Sequence, residues 1–192
     1  MIRIAILASG GGSNAEAIIG YFKSHNSIEV AMVLSNRKNA YVLERAKNHN
    51  IDHDSFTRED LNDETKLLKL LKEKEIDYII LAGFLMLIPS ILTQAYMNRI
   101  LNIHPALLPK YGGKGMYGHH VHEAVKINGE KISGMTIHLV NEQYDKGRIL
   151  FQAEVEILVN DSAEDIAAKV LKLEHKHYPQ IIESYISERE SR

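Results

Sequence analysis

Short apolar runs that alternate with amphipathic segments constrain this chain more than any other feature. The run IRIAILAS at 2–9 has the length of a buried strand. It is closed by Gly10, Gly11 and Gly12, and the segment AEAIIGYFKSH that follows places apolar residues at helical spacing. The alternation repeats. IEVAMVLS reads as a second strand, AYVLERAKNHN as a helix, DETKLLKLLKEKE as a charged helix and IDYIILAG as a buried strand. PSILTQAY is a short helix before the strand RILNIH. Beyond a glycine-rich loop, YGGKGMYG, the pattern predicts a helix from His119 to Ile127, then the strands ISGMTIHLV and ILFQAEVEI. A long helix begins near Ser162, where DSAED supplies a cap and first-turn acids. Parallel strand pairs need crossover connections, so repeated βα units imply a mainly parallel twisted sheet with helices on both faces. The expected fold is α/β and three-layered, with a Rossmann-like N-terminal half, in a single domain spanning 1–192.

Composition narrows the function classes. A net charge of −2 on 192 residues gives no basic field of the kind a nucleic-acid binder uses. The absence of cysteine from the sequence excludes disulfides, thiol nucleophiles and thiolate metal sites. The N-terminal apolar run is too short to cross a bilayer, so the expectation is a cytoplasmic protein with no membrane or nucleic-acid partner.

Two constellations carry chemistry. In LNIHPALLP, Asn102 and His104 project from one side of an extended segment that Pro105 ends, which puts an amide donor and an imidazole in one space at a strand end. Asp145, in NEQYDKG, is a carboxylate able to raise the histidine pKa and hold the ring protonated. Between the first strand and first helix, SGGGSN forms an anion site from backbone N–H groups and the helix dipole, with phosphate as its natural guest. Gly10, Gly12 and Ala15 satisfy G-x-G-x-x-A, but LSNRK replaces the acidic residue that a dinucleotide site wants after the second strand, although Arg37 could face a 2′-phosphate. His119, His120 and His122 cluster in sequence. They lack metal-site spacing, and His175 and His177 diverge around a helix, so no metal is expected.

These residues resemble the folate-dependent formyltransferases. The resemblance runs through ILASGGGSNAEAI, VLSNRKNAYVLERAK, ILAGFLMLIP, LNIHPALLPKYGGKGMYG, TIHLVNEQYDKGRIL and LEHKHYP in the family's order. It implies transfer of a formyl group from 10-formyltetrahydrofolate to the amine of glycinamide ribonucleotide in purine biosynthesis, with only small-molecule partners and a monomeric or homodimeric protein. By resemblance, Asn102, His104 and Asp145 are the catalytic trio, and Gly12, Ser13 and Asn14 the substrate-phosphate loop. Glu174 contacts the substrate ribose, and His120 occupies the site position of the family's H-x-H. Gly83–Ile88, with Leu85, Met86, Leu87 and Ile88, resembles one wall of the folate pocket, contacting the pterin largely through backbone groups. Asn102 and the loop bearing Asn141, Glu142 and Tyr144 resemble its other contacts. Met86 stands where many members carry arginine, and the glycine loop is longer than in some members. The resemblance implies additional domains in the tRNA and deformylase branches, so a chain of this length makes them the less expected alternatives.

Overall fold

The computed structural model describes residues 1–63 and 66–191, and divides into two compact units, Met1–Asn102 and Ile103–Arg192. The first unit contains β1 (Ile2–Ala8), α1 (Ser13–Phe22), β2 (Ile28–Ser35), α2 (Tyr41–Asn48), β3 (Asp52–Ser55), α3 (Arg58–Asn62), α4 (Lys66–Glu73), β4 (Tyr78–Leu81) and α5 (Ser90–Ala95). The boundary between the units falls inside β5 (Ile100–His104).

In the first unit the strands lie in the order β3-β2-β1-β4-β5, and every pair is parallel. The centre of this sheet is β1, whose residues Ile4 to Ala8 are fully buried, flanked by the equally buried β4. From β1 the chain winds outward to β2 and β3, then returns to build β4 and β5 on the other side. That reversal opens a crevice at the carboxyl ends of β1 and β4, where open α/β sheets bind ligands. Ser9, just past β1, ties the crevice together. Its N–H donates to the Gly83 carbonyl at 3.0 Å, while its hydroxyl donates to Asn36 Oδ1 at 2.6 Å and accepts from the Leu85 N–H at 3.0 Å.

The second unit holds the end of β5, α6 (His119–Ile127), β6 (Ile132–Leu139), β7 (Ile149–Glu156) and α7 (Ala163–Glu190), with β6 and β7 antiparallel. Thr136 on β6 braces the turn that follows β5. Its hydroxyl donates to the Ala106 carbonyl at 2.6 Å and accepts from the Leu108 N–H at 3.0 Å, and Gln152 on β7 donates to that hydroxyl at 2.8 Å and to the Leu108 carbonyl at 3.0 Å. At the start of α7, Ser162 and Asp165 form the reciprocal capping box that DSAED offered.

The mainly parallel α/β architecture and most element positions agree with the sequence pattern. The pattern does not predict β3 or α3. β3 reads Asp-His-Asp-Ser, with no apolar residue. It is an edge strand held by backbone pairing of Met32 to Asp52 through Ser35 to Ser55, so burial leaves no mark on its sequence. Within the expected charged helix, Glu64 and Thr65 lie outside the described residues. No described helix is long and apolar enough to cross a membrane.

Candidate active site

In the first unit the glycine loop enters α1 through Gly12, which adopts φ +70° and ψ +32° at the N-cap position. A Cβ there would lie 2.4 Å from Val42 Cγ2 and 3.0 Å from the Val42 Cα, so glycine is required both for the left-handed backbone and for the close approach of α2. Ser13 and Asn14 form the first residues of α1, whose leading N–H groups have no acceptor within the helix and carry the positive end of its dipole. Leu85 and Leu87 in the 83–88 segment are exposed, whereas Ile88 is buried. The Leu85 N–H is already engaged by Ser9. On β5, Asn102 shares a strand face with the buried Ile100 and His104 and is itself only partly buried.

In the second unit, His104 ends β5 and is 4% exposed. Its Nε2–H donates to the Tyr111 carbonyl at 2.7 Å, and Nδ1 lies 3.7 Å from Asp145 Oδ2. Because a carbonyl only accepts, this bond assigns the ring proton to Nε2 and turns Nδ1 toward the carboxylate. Tyr111 presents that carbonyl from a left-handed backbone, φ +55°. It is held there by its phenol, which donates to Glu130 at 2.9 Å and accepts from Asn128 at 2.9 Å. Asp145 is also left-handed, at φ +53°. Its Oδ2 accepts the Gly113 N–H at 2.8 Å and its Oδ1 lies 3.5 Å from Nε2 of buried His138. The site is therefore His104, Asp145 and His138 in a row, closed by the backbone of 111–113.

The protonation pattern departs from expectation. Burial pulls His104 below the ordinary imidazole value. Asp145 and the Tyr111 carbonyl oppose this, His138 adds to it, and the net direction is downward. The expectation that the carboxylate holds the ring protonated is corrected: desolvation of a nearly enclosed imidazolium outweighs one carboxylate at 3.7 Å. For Asp145, burial works upward, but the His138 imidazole, the Gly113 N–H and the charge of His104 leave it below the usual carboxylate range.

His122, which spacing assigns to no site, is the buried histidine of α6. It is 6% exposed on the inner face of α6, its Nδ1 has no hydrogen-bond partner, and burial with the fields of His119 and His104 lowers it to about 4. His120 faces outward at 63% side-chain exposure, 3.4 Å from Glu123, and His119 pairs with Glu123 and Glu164. His122 has a testable consequence. An unfolded imidazole protonates near ~6.5. The unfolded chain therefore gains its proton first as pH falls, and stability present at pH 7 is lost between about 6.5 and about 4. Urea unfolding at pH 7 and pH 5 should show this residue costing on the order of 2 kcal/mol, an increment absent from His122→Leu.

Glu174 is buried on α7 beside Tyr178, whose hydroxyl burial and the Glu174 charge push well above its ordinary value. Asn141, Glu142 and Tyr144 stand exposed on the loop leading to Asp145, where the Asn141 side chain accepts the Gln143 N–H at 3.0 Å. Among the described residues no group of three His, Asp or Glu side chains is arranged to hold a metal ion.

A family model described as formyl transferase matches residues 2–182. The chain is 42% identical, over 97% of its length, to "Phosphoribosylglycinamide formyltransferase, chloroplastic" of Arabidopsis thaliana, and 36% identical, again over 97%, to "Phosphoribosylglycinamide formyltransferase" of Bacillus subtilis. It covers 95% of the bacterial relative, but 66% and 62% of the Arabidopsis and Vigna unguiculata relatives, just under two thirds of each. Solved structures of phosphoribosylglycinamide formyltransferase from Bacillus halodurans and Brucella melitensis match at TM-scores of 0.87 and 0.86, with 37% and 38% identity. Each match covers 96% of this chain and 95% of the other.

Proposed function

This chain belongs to the formyl transferase family, and we propose that it transfers the formyl group of 10-formyltetrahydrofolate to the primary amine of glycinamide ribonucleotide, a step of purine biosynthesis. The observation that carries the proposal is the buried His104 with Asp145 at 3.7 Å, placed two residues after Asn102 on the same strand. The names of the relatives support this acceptor. The net charge of −2 supports a small-molecule acceptor rather than a nucleic acid.

In this reading Gly12, Ser13 and Asn14 take the ribonucleotide phosphate at the start of α1, and Glu174 and a histidine of α6 complete the substrate contacts, with His120 the position the family pattern indicates. Leu85, Met86, Leu87 and Ile88 form one wall for the folate, joined by Asn102 and by Asn141, Glu142 and Tyr144. The amine attacks the formyl carbon, a new C–N bond forms, and negative charge develops on the formyl oxygen, where the Asn102 amide donates. His104, neutral in the resting protein, takes a proton of the attacking amine. Asp145 and the Tyr111 carbonyl stabilise the resulting imidazolium. Collapse breaks the bond between the carbon and the folate N10, and His104 returns the proton to that nitrogen, so the ring ends as it began. The proposal treats residues 1–192 as one formyltransferase domain, acting in the cytoplasm as a monomer or homodimer with no metal.

The pH dependence separates this order of events from one that starts with a protonated ring. Since the His104 value is lowered, kcat/KM should hold constant through neutral pH and fall only as pH drops below about 6.5. A rate that rises steadily toward acid would assign the resting ring a proton and reverse its role. The reaction itself is tested by incubating the protein with glycinamide ribonucleotide and 10-formyltetrahydrofolate, reading formylated product by mass and deformylated folate by absorbance. NADH and NADPH binding are measured in parallel. Nicotinamide binding without formyl transfer would reject the proposal.

A further inference from the structure

The glycine loop does not hold its shape alone; α2 grips it from outside. The Val42 N–H, in the first turn of α2, donates to the Gly10 carbonyl at 3.1 Å, and Arg45 Nε, one turn later, donates to the Gly11 carbonyl at 2.8 Å. Two consecutive carbonyls are thereby drawn toward α2. In a planar trans peptide the C=O and the following N–H point in opposite directions. Holding the Gly10 and Gly11 oxygens toward α2 therefore aims the Gly11 and Gly12 N–H groups away from it. With Gly12 left-handed at φ +70°, successive N–H groups of this kind form a concave anion cradle continuous with the first turn of α1.

Arg45 is itself held by several partners. Its Nη1 donates to Glu16 Oε2 at 2.9 Å, its guanidinium lies 5.0 Å from the centre of the Tyr41 ring, and Glu16 Oε1 accepts from His49 at 2.7 Å. Glu16 sits in the first turn of α1, close behind any anion bound there, and the His49 and Arg45 partners hold it firmly ionised. The planar fork of Arg45 does two things that a point charge does not do together: it faces this carboxylate and reaches a backbone oxygen.

We propose that Arg45 is a positioning residue for the substrate phosphate: by holding the Gly11 carbonyl toward α2 it presets the Gly11–Gly12 peptide so that its N–H meets the anion without reorganisation. The inference rests on the proposed function only in taking the glycine loop as the phosphate site. It predicts a loss confined to one substrate. In Arg45→Met, KM for glycinamide ribonucleotide should rise roughly tenfold, the scale of one lost charge-assisted hydrogen bond that orients a loop. KM for formyl-folate should stay unchanged and kcat should stay within about twofold, since preorganisation that serves ground and transition states alike appears in KM. Inorganic phosphate, titrated calorimetrically, should weaken by the same factor. Arg45→Lys keeps the charge beside Glu16 and should restore thermal stability while recovering only part of the phosphate affinity.

The double variant Glu16→Gln/Arg45→Met decides between positioning and simple charge masking. Affinity as low as in Arg45→Met upholds the proposal. A return to wild-type affinity overturns it, because Arg45 would then serve only to neutralise Glu16. Unchanged phosphate binding in Arg45→Met, with a fall in thermal stability alone, also overturns it and leaves Arg45 as a brace between α1 and α2. Wild-type protein that binds phosphate in an Arg45-dependent manner but transfers no formyl group would reject the proposed reaction and leave this inference standing.

Discussion

Replacing Asp145 with asparagine is expected to lower kcat for formyl transfer by roughly 10²–10⁴-fold, the range set by a working acid–base partner. The asparagine side-chain oxygen can still accept the Gly113 N–H that Oδ2 now receives at 2.8 Å, so the loop keeps its anchor. What disappears is the charge opposite His104 Nδ1 and His138 Nε2. An imidazolium formed during the reaction then stands in a buried site with no counter-charge, and the barrier rises by the stabilisation lost. Two further readouts belong to the same variant. Asp145 raises the His104 value against the pull of burial, so its removal should move the acid limb of kcat/KM to lower pH. The thermal midpoint at pH 7 should change by no more than a few degrees, on the scale of ~1 kcal/mol. Full activity in Asp145→Asn would remove the carboxylate from the mechanism.

Gly12→Ala is expected to have the second-largest effect, and on a different quantity. An alanine at φ +70° costs on the order of 1–3 kcal/mol in backbone strain, and its methyl would meet Val42 Cγ2 at 2.4 Å. The loop can relieve both only by rotating out of the left-handed region, which re-aims the N–H groups at the start of α1. KM for glycinamide ribonucleotide should rise by about tenfold or more while KM for formyl-folate holds, and the protein should lose thermal stability. Adding Val42→Ala removes the contact with Cγ2 but leaves the residue 42 Cβ at 2.6 Å, its Cα at 3.0 Å and the strain at residue 12. The double variant should therefore regain at most a small part of the stability and none of the affinity. Wild-type KM in Gly12→Ala would show that this loop does not hold the phosphate.

β1, β4 and β5 are legible in the sequence because they are short, apolar and followed within two residues by glycine or proline. The helix from His119 to Ile127 and the Ser162 cap occur where periodicity and capping chemistry place them. Asn102 and His104 are legible because strand alternation is local. The rest depends on distance in space. β3 has no apolar residue and exists through its pairing with β2, whereas the capping box of α3, Thr57 with Asp60, is a local signal that FTRED carries. His138 lies in a strand buried at nearly every position, so alternation gives no hint that its ring faces Asp145. His122 and His120 differ by two positions on one helix, and only the packing of α6 decides that the first is enclosed and the second exposed. The protonation of His104 depends on how fully the fold encloses it, which no spacing rule measures.

Tyr111 faces the back of the imidazole from a backbone geometry that glycine adopts at less cost, and the phenol is what keeps it there. The aim of the reactive ring is thus tied to an aromatic clasp on Glu130 and Asn128, groups that take no part in the proposed reaction. Loosening that clasp, as in Tyr111→Phe, would let a neighbouring carbonyl swing away and leave His104 free to rotate, dulling the chemistry while every reacting group stayed in the sequence.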